Sequence, residues 1–334
     1  MDSRQQLKVI GVLLLVCFTV GAFLLPRSVA PAEKAFPSKH ITWIVPYSPG
    51  GGFDTYSRGV ARVMAEKLGA DIVIKNIPGA GGVVGTSILY RSKPDGYTIG
   101  ILYADTQVAN QIVRKVEFDM RKFAYIGQVR EDPCTVSVGA SSRFHSVEDL
   151  QKAAAEKPIR VAATSMLTSA YTAYIGLVNG LKVQPIIFVS GFQGSSEALT
   201  AMARGDADVG TNFSVSSVKP YIESGHTRAL CQFALKRSEV LPDVPTGVEL
   251  GYPEAGRIAA FGMIVAPPGT PRERVAVLED ALMKSLKDPE LIAWSKKAER
   301  PLTPANAKEA REVVQDLFTK LDKYKGELRK ALGK

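Results

Sequence analysis

The sequence predicts an α/β protein of two lobes, each a doubly wound, mostly parallel sheet. Three observations lead there. From residue 40 onward short apolar runs alternate with amphipathic stretches, and such strand–helix–strand repetition implies parallel pairing with crossover helices. Glycine-rich segments sit at the joins between strand and helix. Beyond Pro267 only helical patterns follow, and these need a sheet already built to pack on.

The first block opens with "ITWIVPY" (41–47), read as a strand. In the next stretch Tyr56, Val60, Val63, Met64 and Leu68 fall on one face at helical spacing. "DIVIKN" (71–76) is a strand, "GGVVGTSILYRS" (81–92) a helix, "KPDGY" (93–97) a turn with Pro94 at its second position, and "TIGILYA" (98–104) a third strand. The second block starts with a capping box at Ser146–Asp149, opening a helix to about Glu156. Strands are expected at 159–165, 183–191, 207–212 and 227–234, with helices at about 169–179 and 195–204 between them. "FGMIVAP" (261–267) is a further strand, followed by helices over 271–286 and 289–298 and a long one from Pro304 capped by Thr303. The chain is therefore expected to leave lobe one near Cys134, build lobe two, and return near Phe261. That gives lobe one as 38–135 plus 262–334 and lobe two as 136–261, with two crossings acting as a hinge.

Composition narrows the function classes. The 334 residues are 46% hydrophobic and 22% charged, as in globular chains, with a formal net charge of +9. The positives are scattered, with no basic block longer than Arg121-Lys122 or Lys296-Lys297 and no interleaved aromatics, so no nucleic-acid partner is expected. Arg4 and Lys8 precede an uncharged run from Val9 to Pro26 and then small residues, the pattern of a signal peptide over 1–32 with cleavage after Ala32. An uncleaved anchor is the alternative. Val16 before Cys17 argues against a lipidated cysteine. Cys134 and Cys231 are read as buried thiols, and no metal-ligand spacing or cofactor motif occurs.

In open parallel sheets, ligands bind beyond the carboxyl ends of the strands, where "SPGGGFD" (48–54) and "NIPGAGG" (76–82) both fall. Glycine lets backbone approach a ligand, and a helix start offers free N–H donors to an anion. Neither loop carries the lysine of a phosphate loop, and Val84 stands where a dinucleotide fingerprint needs glycine. Backbone donors of this kind suit a small carboxylate; the glycines could also serve only as tight turns. Asp54 is read as a helix N-cap, Tyr56 as core, and Phe53 and Phe192 as pocket candidates. The three histidines lie outside any catalytic pattern, and Asp105, Glu197, Asp206 and Asp208 form no acid/base pair. An exported two-lobed protein with anion-ready loops and no catalytic constellation reads as a solute receptor, not an enzyme.

The order and spacing of "IVPYSPGGGFDTYSR" (44–58), "IKNIPGAGGVVGT" (74–86), "KPDGYTI" (93–99), "RSEVLPDVPTGVELGYP" (237–253) and "GMIVAPPGTP" (262–271) resemble the substrate-binding proteins of tripartite tricarboxylate transporters, the Bug family. The resemblance runs from about residue 38 to the C-terminus. It implies a type II periplasmic binding-protein fold, no cofactor, a monomer, and delivery of an organic carboxylate to the membrane subunits of a secondary transporter. It further implies that two lobe-one loops grip the carboxylate: Ser48, Pro49, Gly50, Gly51, Gly52, Phe53 and Asp54 in one, and Gly79, Ala80 and Gly81 in the other. Tyr103 and Asp105 join them at the end of the third strand. Lobe-two contacts map to Thr164, Ser165, Thr168 and Ser169, to Phe192, Gln193 and Gly194, and to Asn212 and Phe213. Lobe two departs from the family pattern. "AATSMLTS" lacks its glycines and histidine, Phe192-Gln193-Gly194 lacks its cation, and Thr211-Asn212-Phe213 lacks its acid. These losses argue against an amino acid and, less strongly, against citrate. They favour a less polar mono- or dicarboxylate, aliphatic or aromatic, with Phe192 and Phe213 as apolar walls. A ligand sensor for a signalling receptor would share the fold and the site.

Overall fold

The computed structural model describes residues 36–50, 52–163, 166–192, 195–331 and 333. The predicted leader, Gly51, Thr164, Ser165, Gln193 and Gly194 lie outside the described residues. Among those described, no helix is long and apolar enough to cross a membrane.

The first sheet runs β2 (Ile72–Asn76), β1 (Ile41–Val45), β3 (Thr98–Tyr103), β9 (Ala259–Ala266), β4 (Ala124–Gly139). β1 pairs in parallel with β2 and β3. Both faces are covered, as in a doubly wound sheet. Ile41, Trp43 and Val45 face helix Gly52–Leu68, with its buried Tyr56, Val60 and Met64, while Ile44 faces the opposite cluster with Leu89 and Leu102. The second sheet holds β6 (Ile186–Val189), β5 (Ile159–Ala162) and β7 (Val209–Ser214) in parallel, then β4 and β8 (Thr227–Gln232) in antiparallel sense.

One strand belongs to both sheets. β4 pairs with β9 from Ala124 through Pro133, then with β7 and β8 from Cys134 onward. Its partner β9 returns antiparallel beside it from Ala259, so the link is a two-stranded ribbon. From Ala259 onward β9 lies along the bridging part of β4. The late helices behave as expected: Arg272–Leu286 packs on helix Gly52–Leu68 and Ala307–Asp322 on helix Ala104–Val113. The cap of the last long helix is Asn306 rather than Thr303, because Asn306 and Glu309 form the reciprocal hydrogen bonds of a capping box. Helix Ala104–Val113 also packs on helix Met166–Thr172, so one apolar cluster runs through both halves. Cys134 and Cys231 are unbridged and buried, and burial pushes both thiols up.

Candidate functional site

The first loop is closed by Asp54. Its carboxylate, in the first turn of helix Gly52–Leu68, accepts the Gly50 N–H at 2.9 Å, the Arg58 Nε at 2.9 Å and the Asn76 Nδ2 at 3.0 Å. Burial alone would raise this carboxyl, but the hydrogen bonds from Arg58, Gly50 and Asn76 outweigh it and hold the group below its usual range. Asp54 is therefore the loop's clasp, neither N-cap nor ligand contact: its acceptors are taken, and so is the Gly50 donor. Ser48, Pro49 and Gly50 stay exposed, and Gly50 takes φ +77°, a left-handed backbone that glycine adopts without strain.

The second loop is the more telling. Gly79, Ala80, Gly81 and Gly82 all have positive φ, at 141°, 49°, 66° and 90°. An alanine in that region costs roughly 1 kcal/mol, and such strain persists where surrounding contacts enforce it. Here the enforcing contacts come from helix Ala104–Val113 and the residue after it: Gln107 Nε2 donates to the Gly81 carbonyl at 2.9 Å and Arg114 Nη2 to the Ala80 carbonyl at 3.2 Å. In a planar trans peptide the N–H points opposite the C=O. Tethering the Ala80 carbonyl from behind thus turns the Gly81 N–H outward, at an exposed position. The Gly82 N–H is spent within the loop, on the Gly79 carbonyl at 2.9 Å.

Tyr47 joins the two loops. Its hydroxyl accepts the Tyr103 N–H at 3.3 Å and lies 3.4 Å from Gln107 Nε2, while its carbonyl accepts from Asn76 at 3.1 Å. Its ring packs edge-on against Phe53 and Tyr103, which stack on each other at 3.6 Å. Phe53, 1% exposed, is core and not a pocket wall, because the helix start at Gly52 carries its ring inward under Tyr103. Tyr47, Asn76, Gln107 and Arg114 support the loops yet were missed by the sequence reading. The asparagine of "IKNIPG" was the one visible signal.

Three other candidates are corrected. Asp105 is 4% exposed; its oxygens accept the Phe261 N–H at 3.3 Å and the Thr106 hydroxyl at 3.1 Å, so it ties its helix to β9 instead of facing a ligand. Phe213 is fully buried beneath Gly210, whose missing Cβ would stand 2.1 Å from the ring. Ser169 is fully buried in helix Met166–Thr172. Thr168, Phe192 and Asn212 remain half-buried and Tyr103 partly so, leaving them as candidates for lining.

Burial raises the Asp105 carboxyl to about 6. The folded state then binds its proton more tightly than the unfolded chain. That contribution is complete below the unfolded value near 3.9 and is lost as pH rises through about 6. Asp105→Asn should flatten this slope and leave the variant more stable above pH 6, by an amount on the order of 2 kcal/mol. Urea midpoints between pH 4 and pH 7 check it; an unchanged slope would assign the titration elsewhere.

Where β4 changes sheets lies a buried ion pair. Arg130, 5% exposed, contacts Asp132, 1% exposed, which also accepts the Ser216 hydroxyl at the start of helix Val215–Glu223. Gly262 makes room for this arginine, since a Cβ there would meet Arg130 Cγ at 2.7 Å. A cavity of 1080 Å³ opens beside the pair between Ala234–Val240 and Ser295–Pro304, and among the described residues no glycine-loop residue lines it. Among the described residues no group of His, Cys, Asp and Glu could hold a metal ion.

Comparison with known proteins agrees with the fold. The pattern of the tripartite tricarboxylate transporter family receptor matches residues 56–329. A Pseudomonas sp. (strain P51) protein, described as a UPF0065 protein of the tcbD-tcbE intergenic region, is 32% identical over 287 residues, 85% of this chain and 83% of that one. Protein BugT of Bordetella pertussis is 28% identical over 283 residues, 82% and 85% of the two chains. Among solved structures, an R. palustris protein with adipate is 25% identical at a TM-score of 0.72, covering 89% of this chain and 98% of that one. MatC from Rhodopseudomonas palustris, with bound malate, is 25% identical at 0.71, covering 87% and 100%. With two glycine loops at the strand ends and a family match across most of its length, this chain belongs to the tripartite tricarboxylate transporter receptor family and is a solute-binding protein of that family.

Proposed function

We propose that the chain captures a small organic carboxylate between two lobes and delivers it to the membrane subunits of a tripartite tricarboxylate-type transporter after export. The observation that carries this reading is the second glycine loop, whose carbonyls are tethered by Gln107 and Arg114 so that the Gly81 N–H on the opposite side of its peptide faces outward. Lobe one would comprise 38–135 and 262–334, with lobe two between them and the β4–β9 ribbon as the hinge. Closure would shift a two-state equilibrium by the ligand's differential affinity for the closed form.

The ligand's far end would meet a neutral surface. The stretches 163–169, 189–196 and 211–217 contain no Asp, Glu, Lys, Arg or His. Burying a second charge against them would leave it unpaired, which is costly. This supports a carboxylate with an apolar or neutral body contacting Phe192, Thr168 and Asn212. Relatives solved with malate and with adipate support the carboxylate class. A thermal-shift screen of ligand-stripped protein tests the reading. A ligand at 100 times its dissociation constant should add about 2.7 kcal/mol. Shifts are expected from monocarboxylates with apolar bodies, and smaller ones from dicarboxylates such as adipate, whose second charge would go unpaired at the far end. Shifts from amino acids or citrate alone would refute the neutral far end, and no shift from any carboxylate would refute the receptor reading.

A further inference from the structure

A depression of 600 Å³ lies at the end of helix Ala104–Val113, lined in part by Arg114, the residue that holds the second glycine loop. Its charged lining is entirely basic: Arg114, Lys115, Lys325 and Arg329. Lys325 and Arg329 stand four residues apart in helix Lys325–Ala331, where like charges face each other and repel. None of the four makes an ion pair among the described residues. The nearby acids are engaged elsewhere: Glu117 with Arg91 at 2.5 Å, and Asp119 with Arg121 at 3.0 Å and with Gln111. Glu327 lies within electrostatic reach of Tyr174 and Tyr324. The carbonyl end of helix Ala104–Val113 favours a cation there, which accounts for Arg114 and Lys115 but not for the pair brought in from the C-terminal helix.

Arg114 is held in place while part of it stays unused. Its Nη2 is fixed by the Ala80 carbonyl and by Asn110, whereas its Nε is buried without a hydrogen-bond partner. A guanidinium fixed on one side, with three further cations and no acid in the described lining, suits a multiply charged oxyanion. Arginine offers planar paired donors, and lysine ammonium groups close around such an ion as point charges.

We propose that this depression is a second anion site, distinct from the carboxylate loops, and that it takes a phosphate-class oxyanion. The ion would be free phosphate or the phosphate of an anionic lipid headgroup. The proposal does not depend on the carboxylate reading, since its residues touch no candidate ligand contact except through the Arg114–Ala80 bond. The test titrates inorganic phosphate into the purified chain by calorimetry at low ionic strength. It is repeated with the triple variant Lys115→Gln/Lys325→Gln/Arg329→Gln, which spares Arg114 and its hold on the loop. Phosphate binding that weakens at least about tenfold in the triple variant supports the site, as expected when charge-assisted hydrogen bonds are lost. Co-sedimentation with phosphatidylglycerol vesicles, against phosphatidylcholine as control, supports the headgroup source if it too is lost in the variant. No phosphate or vesicle binding by the unmodified chain, or equal binding by the triple variant, overturns the proposal. A circular-dichroism melt confirms that the variant is folded before either result is read.

Discussion

Arg130→Met should destabilise the protein by about 3–5 kcal/mol. The variant strands the Asp132 carboxylate, 1% exposed, without its cation, and an unpaired buried charge carries a penalty of that size. The pair itself need not be worth that much. Arg130→Met/Asp132→Leu removes both charges and should recover most of the loss, because an apolar pair of similar volume avoids desolvating two ions. Denaturant midpoints of the two variants separate the cases. A double variant as unstable as the single one would mean that the pair's geometry, and not the stranded charge, is what matters where β4 crosses between sheets.

Gly82→Ala should remove carboxylate binding, with affinity falling by at least about tenfold, while costing only about 1–2 kcal/mol of stability for the left-handed backbone. The added Cβ would stand 2.8 Å from Gln107 Nε2 and 2.9 Å from the Tyr47 ring. Those two side chains hold the second loop, so relieving the clash displaces the loop itself. Gly69→Ala is the matched control. It has φ +62° with nothing within 4 Å of its Cβ position, so it carries the backbone strain alone. Calorimetry on both variants decides the matter. If Gly82→Ala binds as tightly as Gly69→Ala, the loop is merely a turn.

The parts of the fold that follow local periodicity were readable. β1 to β3, their glycine turns and the helix face of Tyr56, Val60 and Met64 all lie where spacing puts them. The longest strand was not. β4 reads "AYIGQVREDPCTVSVG", with Arg130, Glu131, Asp132 and Pro133 in its middle. Charges and proline normally break a strand, but here Arg130 and Asp132 pair in the interior, Glu131 pairs with Arg257 nearer the surface, and the bridging proline needs no ladder donor at that point. Helix Ala104–Val113 was also missed, because it follows β3 without any loop. The candidate site was legible as backbone and illegible as side chains. Glycine spacing located both loops, whereas the clasp by Asp54 and the tethers by Gln107 and Arg114 join residues distant in sequence. Phe53 and Phe213 were misplaced for the same reason: their neighbours in a loop or strand do not reveal which way the ring turns.

The position of β9 between β3 and β4 sets the order in which the molecule can be assembled. β3 and β4 have no direct pairing with each other, and each gains a neighbour on that side only when residues 259–266 slide between them. All of the second sheet, through Gln232, precedes that strand in the sequence. During synthesis the second sheet can therefore close first, while the first remains in separate pieces until residues 259–266 arrive. Every truncation upstream of residue 259 leaves the two glycine loops on a half-sheet with an open edge. The carboxylate grip, encoded near the start of the chain, is among the last features to become rigid.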